Sequence, residues 1–196
     1  METLNDFILK YYNKPQVEKY KPQIGRYSAS SIYNIQKGYL NVNNYFDKKP
    51  IDMRGVKNIF RGCALEDMLQ KVFTSEGVKL DMRPEDPNKQ IKYELKIGDY
   101  ILVVKPDFIF KDKDFVFETK APNKINYDIS DWNKDQCECE YRATLKDVYL
   151  VKINIYADND LHLFILIKYK HSDRRWEKIK GILDKFDKQL KNNNKK

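Results

Sequence analysis

Glycine is scarce in this sequence, with seven residues in 196, and cysteine is scarcer still at three. Cys63, Cys137 and Cys139 are too few, and odd in number, for a disulfide framework, which points to a reducing compartment. Only two histidines are present, His162 and His171, and no Ser-His-Asp or Cys-His arrangement is assembled from them. No stretch approaches the ~20 consecutive apolar residues that span a bilayer, so no membrane association is expected. The opening Met1-Glu2-Thr3-Leu4-Asn5-Asp6 lacks a basic region followed by an apolar run. No secretory signal is therefore expected, and the protein is read as intracellular and cytoplasmic.

What remains is a globular composition. Hydrophobic residues make up 41% and aromatics 13%, which excludes a disordered chain. The length suits one domain with a real core and is short for two. Basic residues number 37 against 29 acidic, a net charge of +8. A surplus of this size permits a polyanionic partner through counterion release without demanding one. The abundance of Lys, Asn, Ile and Tyr is also what AT-rich coding produces.

Residues 1–26 mix aromatic and basic side chains, and Pro15 and Pro22 break any long helix there. Ser28-Ala29-Ser30-Ser31 precedes an apolar-periodic stretch, Ile32, Ile35 and Leu40, and reads as an N-cap. Asp47-Lys48-Lys49-Pro50 reads as a loop. From Arg54 to Thr74, Val56, Ile59, Phe60, Cys63, Leu69, Val72 and Phe73 keep helical spacing. Gly77 fits a stop, and Pro84 to Pro87 a turn. Strands are expected over 91–97, 100–110 and 115–120, a meander broken at Gly98-Asp99 and at Lys111 to Asp114. A helix follows over 131–146, then strands over 148–156 and 161–168 around an Ala157-Asp158-Asn159-Asp160 turn. A last amphipathic helix begins near Ser172, with Trp176, Ile179, Ile182, Leu183 and Phe186 on one side. This order predicts an α/β domain with a central mixed sheet flanked by helices.

The chemistry concentrates in Pro106-Asp107 and Glu118-Thr119-Lys120. If the turn between their strands centres on Asp112-Lys113, Lys111 faces Asp114 and, counting outward, Asp107 faces Glu118. Directly opposed residues of an antiparallel pair have Cβ atoms ~5 Å apart on one face. Two facing carboxylates repel, and a divalent cation between them supplies a reason for the placement. Solvated acids on an exposed hairpin are the alternative, and the strongly apolar strands around both acids weigh against it. Lys120, two residues beyond Glu118, shares its face. A lysine beside metal-bound carboxylates orients a water or steadies charge developing on a phosphate. Mg²⁺ takes hard oxygen ligands of this kind, and such an ion activates water for phosphodiester hydrolysis.

Glu66 joins this set from the long helix. Ile59, Gly62, Glu66, Leu69 and Phe73 lie on one helical face, and a carboxylate on a packing face is costly unless paired or metal-bound. A slight rotation of the helix, with Glu66 paired to a Lys or Arg, is the other reading. Asp67 is the fallback ligand.

An acid on an early helix, Pro-Asp at a strand and Glu-x-Lys on the next resembles the PD-(D/E)XK nuclease superfamily. More narrowly, the chain is similar to the RecB-like branch, with its CRISPR-associated exonucleases and small nucleases of archaeal viruses. Ser28-Ala29-Ser30 resembles the opening of that branch. Gly62-Cys63-Ala64-Leu65-Glu66 resembles its Gly-x-x-x-His motif, with Glu in place of His. Gln136 and Tyr141 resemble its Gln-x-x-x-Tyr signature, although Tyr141 lies one residue too far and Glu140 occupies the fourth position. The match spans about residues 27–156.

The resemblance implies a single restriction-endonuclease-like domain. It would comprise an N-terminal cap (1–26), a catalytic core (27–170), a C-terminal helix (171–191) and a frayed tail (192–196). It implies a Mg²⁺- or Mn²⁺-dependent deoxyribonuclease, exonuclease-like, acting on single-stranded DNA or duplex ends. Glu66, Asp107, Glu118 and the Thr119 carbonyl would be ligands, Lys120 the catalytic cation, and Gln136, Tyr141, Ser28 and Ser30 substrate contacts. A junction-resolving endonuclease of the same superfamily and a catalytically silent DNA-binding module are the alternatives, and the oligomeric state is left open. Many relatives carry an iron–sulfur cluster on four cysteines, and with three cysteines none is expected here.

Other features point less sharply. Cys137 and Cys139, two apart on a helix, point about 200° away from each other, so they read as ordinary thiols with one packed inward. His162 reads as packed within a strand. Segment 171–196 has nine Lys/Arg and four Asp/Glu and reads as a solvated helix face or a backbone contact. Tyr11, Tyr12, Lys19, Tyr20, Lys21, Arg26 and Tyr27 interleave rings with cations, the pattern either of a single-strand stacking surface or of an aromatic cap.

Overall fold

The computed structural model describes residues 4–13, 22–47, 50, 52–83, 86–122, 127–153 and 164–194. Helix α1 (Leu4–Asn13) is followed by strand β1 (Arg26–Ser28), a 3-10 turn and the short helix α2 (Ile32–Gln36). Helix α3 (Met53–Ser75) leads to strands β2 (Met82–Arg83), β3 (Asp86–Gln90), β4 (Tyr93–Ile97), β5 (Tyr100–Val104), β6 (Phe108–Ile109) and β7 (Phe115–Lys120). Helix α4 (Asp131–Thr144), strands β8 (Asp147–Ile153) and β9 (Phe164–Lys168), and helix α5 (Asp173–Asn193) complete the order.

Local chemistry sets the helix ends. The Asp52 side chain accepts from the Gly55 backbone N–H at 2.7 Å, capping α3. Beyond its last turn, Gly77 adopts φ +70°, a left-handed turn that suits glycine. Ser130 and Ser172 cap α4 and α5 in the same way, each at 3.3 Å.

The architecture is mixed α/β, with mixed sheets flanked by helices. Four strands lie in the order β6-β7-β8-β9, with β7 and β8 parallel and the outer pairs antiparallel. One face packs on α3, where Leu65 and Leu69 meet Phe108, Phe110, Val151 and Ile153. On the other face, Cys137 of α4 meets Ile109, Val116, Val148 and Leu150. A second sheet, β1-β5-β4, buries Tyr27, Leu102 and Val104 against Ile179, Leu183, Phe186 and Leu190 of α5 and Cys139 of α4. Helix α4 therefore lies between two cores and buries both thiols, where one inward thiol was expected.

The expected three-stranded meander is split. Residues 100–110 form two strands in different sheets, β5 pairing with β4 and β1, and β6 pairing with β7. The break falls at Lys105-Pro106-Asp107, where proline has no N–H for a ladder. Its consequence is functional: Asp107 leaves the ladder just before β6.

Smaller differences have equally local reasons. Ser28 ends a strand and makes no side-chain cap, and the helix starts at Ile32 and stops well before Leu40. Asp86 and Pro87 belong to β3, paired antiparallel with β2, where a turn was expected. Pro84 and Glu85 lie outside the described residues, as do the 157–160 turn, His162, Lys19, Tyr20 and Lys21. Helix α5 runs to Asn193, so Asn192 and Asn193 are helical and not a frayed tail. Tyr27, read as part of either a stacking surface or an aromatic cap, is wholly buried and donates its hydroxyl to Asp187 at 2.6 Å. Helix α3 is turned from the expected face, with Val56, Leu65 and Leu69 inward and Ile59 37% exposed. That rotation leaves Glu66 half-buried at the edge of the packing face.

Candidate active site

Strand β7 supplies the centre of the site. Its register with β6, Phe108 opposite Phe117 and Ile109 opposite Val116, is the one that the turn position predicts, and Asp107 and Glu118 lie one residue beyond the last paired position. Asp107, freed from the ladder, turns one oxygen onto Thr119, accepting from its backbone N–H and its hydroxyl, both at 2.7 Å. Glu118 points to the α4 side and is fully buried. Its Oε1 accepts from Gln136 Nε2 at 2.7 Å and from the Lys120 ammonium. Its Oε2 has no hydrogen-bond partner. Glu66, on α3, accepts from Gln90 Nε2 at 2.8 Å.

These acids act on one another's charge. Burial, and then Asp107, hold the Glu66 carboxyl above its ordinary range. Burial and then Asp107 also push Glu118 up, to about 7. Glu140 is held well above the carboxylate range by burial and then by Glu118. The result is a row of four carboxyl groups, Glu66, Asp107, Glu118 and Glu140, running from α3 across the end of β7 to α4. Lys120 serves the whole row. Burial alone would lower its ammonium, but Glu118, Asp107 and Glu140 outweigh that and hold it above its ordinary value.

Glu66, Asp107, Glu118, Thr119, Lys120 and Gln136 are thus brought together. Tyr141 is not. Its ring stacks on His171 with centroids 4.3 Å apart and planes 2° from parallel, which also gives His171 the partner that the sequence did not suggest. Gln136 and Glu140 share one face of α4 by their four-residue spacing, and Tyr141 is turned away by one more residue. Ser28 and Ser30 bond each other, Oγ to Oγ at 2.8 Å, and among the described residues no hydrogen bond links either to the carboxylates. Asp67 is exposed, on the solvent side of α3.

One residue of this row, Glu140, is not among the site residues that the sequence suggests. An aromatic pair lies near the start of the same helix, Trp132 on α4 stacked on Tyr33 of α2 with centroids 5.8 Å apart and planes at 15°. Trp132 is 44% exposed, and Lys37 Nζ lies 5.7 Å from the centre of the Tyr33 ring. The spacing Trp132, Gln136, Glu140 was the available signal, a line along one helix face with ~6 Å of rise per step.

No family and no curated protein matches the chain. Solved structures do. An alkaline exonuclease, LHK-Exo from Laribacter hongkongensis, superposes with a TM-score of 0.61 at 14% identity, over 87% of this chain and 90% of that one. The fold is one that an exonuclease uses. The same exonuclease in complex with dAMP gives a TM-score of 0.56 at 13% identity, over 87% and 90% of the two chains. The protein SSO0001 gives 0.61 at 13% identity, over 94% of this chain and 86% of that one. No helix among the described residues is long and apolar enough to cross a membrane.

The donor set meets the needs of a divalent metal in part. Among the described residues, no three His, Cys, Asp or Glu side chains close around one point as a finished cage. Asp107 is drawn onto Thr119, Glu118 onto Lys120 and Gln136, and Glu66 onto Gln90. The chemistry nevertheless fits a hard cation. Glu118 Oε2 is a buried carboxylate oxygen with no donor, an expensive arrangement unless something positive meets it. Mg²⁺-class ions need only a few carboxylates, with waters and substrate oxygens completing the shell.

Proposed function

We propose that the chain is a divalent-metal-dependent DNA nuclease, exonuclease-like in action, whose catalytic residues are Glu66, Asp107, Glu118 and Lys120. The observation that carries this reading is the row of carboxyl groups gathered about one buried lysine at the end of β7, on a fold shared with an exonuclease. Glu66, Asp107 and Glu118, with the Thr119 carbonyl, would hold Mg²⁺ or Mn²⁺. Such an ion supplies an activated water and neutralises charge on the phosphodiester.

The chain's own residues do the rest. Thr119 fixes the rotamer of Asp107 through its hydroxyl and backbone N–H. Gln136 holds one oxygen of Glu118. Lys120 stays protonated, so it meets the negative charge that builds on the phosphate and does not act as a proton acceptor. The net charge of +8 favours a polyanion. Tyr33 and Trp132, with Lys37 beside them, offer a stacking surface on the face of α4 that leads to Gln136, which suits single strands or frayed ends. LHK-Exo, which shares this fold, has been solved in complex with dAMP, a mononucleotide.

The test is cleavage of end-labelled single- and double-stranded DNA in Mg²⁺, Mn²⁺ and EDTA, with Asp107→Ala and Lys120→Ala in parallel. Expected is metal-dependent cleavage that both substitutions remove, with a ladder of mononucleotide steps. A wild type that binds DNA and cuts nothing would make this a binding module. Cleavage that survives both substitutions would mean that the site lies elsewhere.

The stacking surface carries its own expected result. Stacking on an aromatic ring contributes ~1–3 kcal/mol per base, roughly a 5- to 150-fold change in affinity. Trp132→Ala is therefore expected to weaken single-strand binding by that factor in EDTA, measured by fluorescence anisotropy, and to raise KM more than it lowers kcat. Unchanged anisotropy titrations would remove Trp132 from the substrate path.

A further inference from the structure

Helix α4 carries two glutamates that are both fully buried, two residues apart, and treated in opposite ways. Glu138 accepts hydrogen bonds from Arg142, from the Tyr169 hydroxyl and from the Ser172 backbone, each at 2.8 Å. Glu140 is equally buried, and neither of its oxygens meets a donor. A protein that satisfies one buried carboxylate so fully and leaves its neighbour bare is not short of donors. The bare group is in hydrogen-bonding contact with the Glu118 carboxyl, whose own Oε2 meets no other donor. Gln136, one turn before Glu140, binds the other oxygen of Glu118, as does Lys120. Both donors to Glu118 are thus on its other oxygen, and of the four buried carboxylate oxygens without a donor among the described residues, three belong to Glu118 and Glu140 and the fourth to the Arg175-paired Asp135.

We propose that Glu140 is a ligand for a divalent cation, sharing with Glu118 a position on the α4 side of the carboxylate row. The inference rests on the nuclease reading above and adds to it a residue that the nuclease motifs do not include. With no cation the two buried carboxyls coexist by sharing a proton through their mutual hydrogen bond, and a hard cation with waters in its remaining positions is a group that replaces that proton and meets all three oxygens. Lys120 does not satisfy them, since its ammonium is bonded to the opposite oxygen of Glu118. Burial and then Glu118, through its charge and a hydrogen bond between the two carboxyls, hold the Glu140 carboxyl well above its ordinary range, and Lys120 offsets this only in part.

The test is calorimetric titration of Mn²⁺ into chelator-treated protein without DNA, for wild type, Glu140→Gln, Glu140→Asp and Asp107→Asn, with thermal unfolding of the same samples. Glu140→Gln is expected to lower Mn²⁺ affinity at least ten-fold or to remove one equivalent, and to shrink the Mn²⁺-induced rise in Tm. Glu140→Asp, which keeps the charge one methylene back, is expected to fall between. If Glu140→Gln does not fold, Glu140→Asp decides by the same readout. Wild-type affinity and stoichiometry in Glu140→Gln would overturn the inference. With Asp107→Asn losing Mn²⁺ in that same experiment, the nuclease reading would stand without it. A wild type that takes up no Mn²⁺ would overturn both.

Discussion

Glu118→Gln is expected to abolish DNA cleavage and, at the same time, to make the metal-free protein harder to unfold. The first effect follows from removing a charged oxygen ligand and the partner of Lys120 together. A loss on the order of 10³-fold, roughly 4 kcal/mol of transition-state stabilisation, is the scale for such a change. The second effect follows from burial. The Glu118 carboxyl is pushed up to about 7, chiefly by burial and then by Asp107. A carboxylate raised in the folded state is easiest to bury below its unfolded range, and the folded protein loses stability as pH rises through the raised value. At pH 8 in EDTA the wild type therefore carries an ionised, fully buried Glu118 that is met by donors on one oxygen only and stands beside Asp107 and Glu140. A glutamine keeps the shape, accepts from Gln136 and Lys120 through its carbonyl, and turns an N–H toward Glu140. A gain of about 1 kcal/mol corresponds to a Tm rise of roughly 2–4 °C for a chain of this size. Single-turnover cleavage and thermal unfolding of one preparation read both. Cleavage within ten-fold of wild type would sink the catalytic assignment, and a lowered Tm would sink the claim that this charge burdens the fold.

The same carboxylate shows how much of the site is legible in sequence. A four-residue turn centred on Asp112-Lys113 sets the β6–β7 register by counting alone, because strand pairing advances one residue at a time on each side. Asp107 opposite Glu118, and Lys120 on the face of Glu118, come from that count. The long helix α3, its stop at Gly77, helix α4 and helix α5 come from apolar spacing and capping chemistry. The sheet assignment does not. Whether residues 100–110 make one strand or two depends on how β5 finds β1, a parallel partner some 75 positions earlier in the chain, and no local pattern encodes that. Pro106 was the available hint, since a residue that cannot donate to a ladder marks a possible break.

Side-chain partnership was the other blind spot. Gln136 and Tyr141 were paired by likeness to a motif, and the motif's spacing was already off by one. Helical geometry decides the matter: residues four apart share a face, so Glu140 lies beneath Gln136 while Tyr141 turns to His171. The two cysteines mislead for a related reason. Pointing apart implies one inward thiol only when a helix has one buried side, and α4 has two, with Cys137 in the core of the four-stranded sheet and Cys139 in the core beneath α5.

Glu138→Ala is expected to be the most destabilising single substitution on α4, and to leave the metal chemistry alone. The Glu138 carboxylate ties α4 to the strand end at Tyr169 and to the first turn of α5 through Ser172, with Arg142 closing the cluster. Removing it strands a buried hydroxyl and a backbone N–H and leaves Arg142 with Asp173. Breaking a buried ion pair from one side costs about 3–5 kcal/mol, a Tm fall on the order of 10 °C. Glu138→Gln is expected to recover part of this, because its carbonyl still accepts from Tyr169 or Ser172 while the charge facing Arg142 is gone. Mn²⁺ titrations of both variants should match wild type below their unfolding temperatures. Glu140→Gln should do the reverse, giving up cation affinity without loss of stability. Two glutamates of equal burial on the same turn of helix would then separate by what surrounds them: donors on every side make one a structural strut, and bare oxygens make the other a ligand. If Glu138→Ala unfolds no earlier than wild type, the donor network around it contributes nothing, and the contrast that singles out Glu140 loses its force.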